Sequence, residues 1–77
     1  MTKEILYNSM GMHCGYVEDN GAYKSAFVNG VGLVASYNYG SRQTTYYNEA
    51  IRVTGQMSAY GDKCNYVANM LIESKNR

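Results

Sequence analysis

A chain of 77 residues makes one domain, residues 1–77, with a modest core. Chains this short bury only roughly 60% of the surface they expose when unfolded, which leaves little depth for an internal active site. Seven basic residues against six acidic ones, net charge +1, are scattered without a basic block, which argues against a duplex binder held mainly by phosphate contacts.

The apolar complement is unusual in kind: nine Tyr and one Phe, with no Trp and no Pro. Nowhere do about 18 apolar residues run together, as a membrane-crossing helix requires. The opening MTKEILYNSMG lacks the apolar run of a signal peptide. These features lead to the expectation of a soluble, cytoplasmic protein, in which Cys14 and Cys64 are free thiols rather than a disulfide.

Thr2–Met10 reads as a strand in preference to a short helix capped by Thr2, because eight or so residues make a poor helix and Ile5-Leu6-Tyr7 suits a sheet. Asn20-Gly21 and Asn29-Gly30 then separate β-prone segments, and an Asn-Gly pair in that setting is a strong hairpin signal. Taken as two-residue turns, they predict strands Met12–Glu18, Ala22–Val28 and Val31–Asn38. This register sets Val28 opposite Val31, Ala26 opposite Leu33, Lys24 opposite both Ala35 and Val17, and Tyr16 opposite Ser25. Side chains alternate along a strand. One face therefore collects His13, Gly15, Val17, Lys24, Ala26, Val28, Leu33, Ala35 and Tyr37, and the other Met12, Cys14, Tyr16, Glu18, Tyr23, Phe27 and Val34. The first has small residues at its centre, where a helix can approach. A bulge would exchange the faces on one strand.

After Tyr39-Gly40, Ser41 is placed to cap a helix in which Tyr47, Ala50, Ile51 and Thr54 recur at helical spacing, with Gly55 closing it. The β-branched residues of 42–54 leave a strand as the competing reading. Gln56–Gly61, with Met57 and Tyr60, reads as a linker. Asp62 caps the clearest helix, whose stripe is Cys64, Val67, Ala68, Leu71 and Ile72, with Asn65, Asn69, Glu73 and Asn76 facing away. Asp62 at its start and Lys75 and Arg77 at its end suit the helix dipole. The predicted fold is α+β: a small antiparallel β-meander of three or four strands with two C-terminal helices packed on one face. Leu71 and Val67 are expected to pack against Leu33 and Ala26.

No catalytic or metal constellation emerges. His13 and Cys14 are sequence neighbours, so in a regular strand they point to opposite faces and cannot form a nucleophile–base pair. His13 is expected to be partly buried beside Val28. Two Cys and one His fall short of a zinc set, Glu18-Asp19 read as solvated turn residues, and no cofactor is expected. Nine Tyr exceed what one small core needs, so several should be exposed, and exposed Tyr favours recognition. Tyr16, Tyr23 and Phe27 on one face, with Tyr37 and Tyr39 extending past the core near the strand end, are the candidate protein-binding residues. A homodimer is the competing occupant. If that face were covered, the surface would lie among Tyr37, Tyr39, Tyr46 and Tyr60.

In length, composition and hairpin-plus-helix layout the chain resembles the small phage and mobile-element proteins that inhibit host machinery, such as anti-CRISPR proteins. That resemblance implies a non-enzymatic domain that blocks a host defence protein sterically, in the host cytoplasm; it assigns no residue a role. The alternative is a single-stranded nucleic-acid binder that stacks bases on sheet aromatics and contacts phosphates through Lys24, Arg42 or Arg52.

Overall fold

The computed structural model describes residues 1–75; the expectations for Asn76 and Arg77 lie outside them. Six strands, β1 (Thr2–Tyr7), β2 (His13–Asp19), β3 (Tyr23–Val28), β4 (Gly32–Asn38), β5 (Gln43–Tyr46) and β6 (Ser58–Tyr60), form one antiparallel sheet. Each pairs with the next in sequence. Helix α1 (Glu49–Thr54) interrupts the meander between β5 and β6, and α2 (Cys64–Lys75) ends it. The class is α+β as expected, and Thr2–Tyr7 is a strand, but the sheet is larger than the three or four strands predicted.

Both hairpins turn where the Asn-Gly pairs fall, but neither in the register those pairs suggest. At the first, the Asn20 N–H donates to the Tyr23 carbonyl at 3.1 Å. The two turn residues are therefore Gly21-Ala22, one step late, with Gly21 at φ 89° taking the position that disfavours a side chain. Asp19 and Asn20 fasten this turn by accepting backbone N–H groups from Gly21, Ala22 and Tyr23. Val17 consequently faces Ala26, and Tyr16 faces Phe27 instead of Ser25. The slip is two residues, so every side chain keeps its predicted face.

At the second hairpin Val28 pairs with Gly32, and the register shifts again between Ala26 and Phe27. Two single-residue steps return Ala35 and Tyr37 to the face predicted for them, but the residues between the steps exchange sides. Leu33 lies opposite Phe27, away from Ala26, while Val34 is fully buried. The expected contact of α2 with Leu33 is thereby corrected to the bulge residue Val34.

α2 packs across β2, β3 and β4. Its stripe Cys64, Val67, Ala68, Leu71 and Ile72 is buried in full, as the 3.6-residue period dictates. Small residues make the approach close: Ala26 and Ala35 are 0% exposed. Gly15 is required within the sheet itself, where a Cβ would lie 2.3 Å from the carbonyl oxygen of Phe27 on the neighbouring strand β3. Asp62 caps α2 by accepting the Cys64 N–H at 3.2 Å. It also pairs with Lys24 at 2.6 Å, while Asn65 bridges Lys24 and Glu4. The first turn of α2 is thus tied to β3 and β1. Thr44, the buried polar side chain, donates to the Gly61 carbonyl and accepts the Lys63 N–H, fixing β5 to the same turn.

The segment 42–54, open between helix and strand, is both. Gln43–Tyr46 is strand and only Glu49–Thr54 is helix. Ser41 caps nothing; Asn48 stands at the N-cap position, its side chain donating to the Leu33 carbonyl instead. Gly55 closes α1 by donating to the Ile51 carbonyl at 2.8 Å. The expected linker Gln56–Gly61 contains β6, whose register with β5 is Gln43↔Tyr60 through Thr45↔Ser58.

Candidate functional site

Both helices lie on the Gly15–Ala26–Ala35 side, so the opposite face of the sheet is uncovered. Register places Lys3, Ile5, Tyr16, Glu18, Ser25, Phe27, Leu33 and Ser36 on that face. At its centre Tyr16 and Phe27, directly opposite each other, stack with centroids 4.7 Å apart and planes at 20°. The Lys3 ammonium lies 4.4 Å from the Tyr16 centroid, a cation–π contact that caps the stack. Ile5 and Leu33 flank it, each half-buried. Tyr23 is 49% exposed and borders a shallow depression of about 160 Å³ with Glu18, Ser25 and Phe27. The face is an aromatic centre with a polar rim, formed by β1 to β4.

Of the five predicted recognition residues, Tyr16, Tyr23 and Phe27 share this surface. Tyr37 does not: it is buried, 9% exposed. The residue beside it in the ladder, Lys24, accepts the Cys64 thiol through its carbonyl at 3.7 Å, so the start of α2 reaches over this end of β4. Tyr39 is exposed but engaged. Its ring meets Tyr37 edge-on, and its hydroxyl donates to Asp19. That hydrogen bond pushes the Tyr39 pKa up to about 12 and, with the Gly21 N–H, holds Asp19 below the usual carboxylate range. Asp19 is therefore a structured turn residue rather than a merely solvated one.

The three cations proposed for phosphate contact are not assembled on the open face. Lys24 lies on the helix side. Burial alone would lower its pKa, but the hydrogen bond and charge of Asp62 outweigh that and the net shift is upward. Arg52 pairs with Glu49 within α1. Arg42 is exposed in the β4–β5 turn at φ 60°.

The Cys/His neighbours are corrected in detail. A register shift in the β1–β2 ladder leaves Cys14 as the extra residue between His13 and Gly15, and Cys14 packs against the core. His13 is exposed, not partly buried. Both border one small depression near Ile72, yet no hydrogen bond joins imidazole and thiol. Cys14 and Cys64 are free. Ile72, beside Cys14, stands eight residues along α2 from Cys64, or about 12 Å, which is beyond disulfide reach. Burial pushes the Cys64 thiol up to about 11, keeping it protonated. Among the described residues no group of three or more His, Cys, Asp or Glu is placed to hold a metal, and no helix is long and apolar enough to cross a membrane.

Sequence reasoning missed Lys3, whose role depends on a cross-strand neighbour, and Tyr66, 60% exposed on α2 outside the buried stripe. Helical spacing alone marks Tyr66 as outward. Compared with protein-family models, curated proteins and solved structures, the chain has no match, so a functional reading rests on the geometry above.

Proposed function

We propose that the chain is a non-enzymatic protein-binding module whose recognition surface is the uncovered sheet face. The observation that carries this reading is the Tyr16–Phe27 stack, flanked by Ile5 and Leu33 and open to solvent because both helices pack on the other side. An apolar centre with a polar rim is the makeup of a protein interface, and aromatic residues at such centres carry much of the binding energy. In this reading the partner is a host protein, in the manner of the small phage and mobile-element inhibitors, and binding occludes it in the host cytoplasm. Capture from lysate of the source cell, with mass spectrometry, tests the proposal. A partner retained by the native chain and lost by Tyr16→Ala/Tyr23→Ala supports it. A partner held equally by both contradicts it.

Single-stranded nucleic acid is the second reading, favoured by one observation: aromatic rings on an open sheet with Lys3 over one of them. Against it stand the engagement of Lys24 by Asp62 and of Arg52 by Glu49. Oligonucleotide binding that weakens steeply with salt would favour this reading over the first.

A further inference from the structure

Away from the open face, the helix side of β5 and β6 holds space that the core does not fill. α2 packs on β2, β3 and β4, and α1 on α2 and β4. A groove of about 410 Å³ remains, with Tyr46 and Ala59 from the strands, Val53 from α1, and Lys63, Tyr66 and Met70 at or on α2.

Two observations mark this groove as a ligand site. The first is Tyr46. It is 3% exposed, yet its hydroxyl hydrogen-bonds to no described residue. Among the described residues no side-chain N or O atom fully cut off from solvent is left unpaired. The sliver of Tyr46 that stays accessible therefore includes its hydroxyl, and the groove is the surface it lines. The Tyr46 ring is thus held in the core while its hydroxyl stays available to a group entering the groove. The second is charge. Among the described residues Lys63 is the one charged side chain lining the groove. The ion pairs among the described residues join Lys24 to Asp62 and Arg52 to Glu49, leaving Lys63 without an acid. Its ammonium lies 5.8 Å from the Tyr66 centroid. A hydroxyl and an unpaired ammonium opening on one small groove complement a carboxylate.

The groove also adjoins the free edge of the sheet. The Tyr46 N–H donates to the Met57 carbonyl at 2.9 Å, and the Gly61 N–H to the Arg42 carbonyl at 2.7 Å. Bonded residues alternate along an antiparallel ladder. Met57, Ala59 and Gly61 thus direct their peptide groups at β5, while Ser58 and Tyr60 direct theirs outward. A strand added at this edge would use those groups, and its residue opposite Ala59 would project on the helix side, beside the groove.

We propose that the β6 edge and this groove bind an extended acidic peptide segment of a partner protein. Its backbone pairs with Ser58 and Tyr60, and its carboxylate side chain opposite Ala59 enters the groove to meet the Tyr46 hydroxyl and the Lys63 ammonium. A three-residue edge supplies few backbone hydrogen bonds, so the carboxylate carries the selectivity. The site is separate from the open face and stands or falls independently of it.

The test is selection of a phage-displayed random heptapeptide library on the full chain, followed by binding and amide exchange with an enriched peptide. Enriched peptides should share a Glu or Asp among β-prone residues, and their binding should slow exchange at the Ser58 and Tyr60 amides. Replacing the peptide's acid by its amide, or Lys63→Gln in the protein, should weaken binding about tenfold. Tyr46→Phe, which keeps the ring, should weaken it severalfold. Enrichment of peptides without an acid, affinity unchanged by Lys63→Gln, protection confined to β1–β4, or no enrichment at all would overturn the proposal.

Discussion

The two faces of the sheet are made by the same strands and differ in almost every physical respect. At the centre of the covered face the side chains are small or aliphatic: Val17, Ala26, Val28 and Ala35 are each at most 3% exposed. The sequence there leaves room, and α2 fills it. On the open face the side chains are large and amphipathic, and Tyr16, Phe27, Ile5 and Leu33 stay half-buried by leaning on one another. Size complementarity explains which face attracted the helix. A helix cannot come close over a Tyr–Phe stack, but it can over Ala26 and Ala35. The covered face should therefore govern stability and the open face binding.

Substitutions on the covered face should break the fold. Leu71→Ala removes a side chain of the α2 stripe that is 3% exposed, and should cost about 2–5 kcal/mol, comparable to the whole stability of a domain this small. Unchanged thermal melting of that variant would show that α2 does not dock there. Gly15→Ala should cost about 1–3 kcal/mol, because its Cβ would meet the Phe27 carbonyl oxygen at 2.3 Å. The loss should appear as a lower urea midpoint.

The smallest effect belongs to the rim, where Tyr39 donates to Asp19. The Asp19 pKa is lowered in the fold, so its contribution is present above the ordinary carboxylate pKa of 3.8 and fades as pH falls through the lowered value. The Tyr39 pKa is raised from 10.0 to about 12, so its contribution is full below 10.0 and fades as pH rises through about 12. Tyr39→Phe should make both the acid and the alkaline limbs of a melting-versus-pH curve shallower, with its small loss of stability largest near neutrality and vanishing toward both extremes. Limbs that keep their slope would place the pH dependence elsewhere.

The covered face was readable because two independent periods agree. The stripe from Cys64 to Ile72 repeats as a helix must, and the strands alternate. A first turn one residue late slips the register by two, which preserves sidedness, so Tyr16, Tyr23 and Phe27 lie on the expected face despite the different pairing. Leu33 and Val34 did not, because a bulge leaves no mark in a run of apolar residues. Tyr37 had the right face but not the right burial, which depends on how far the first turn of α2 extends over β4. β6, only three residues between turn formers, carries too little pattern to separate from a linker. Of the groove, Lys63 and Tyr66 are sequence neighbours of the stripe, but Tyr46 joins them only through the fold.

The measurement that bears most directly on this division of labour compares the native chain with Tyr16→Ala/Tyr23→Ala in melting temperature and in affinity for the captured partner. The expected result is loss of roughly 2 kcal/mol or more of binding free energy, with cooperative folding retained and a melting shift smaller than that of Leu71→Ala. Native affinity in the double variant, or unfolding as severe as that of Leu71→Ala, would contradict it.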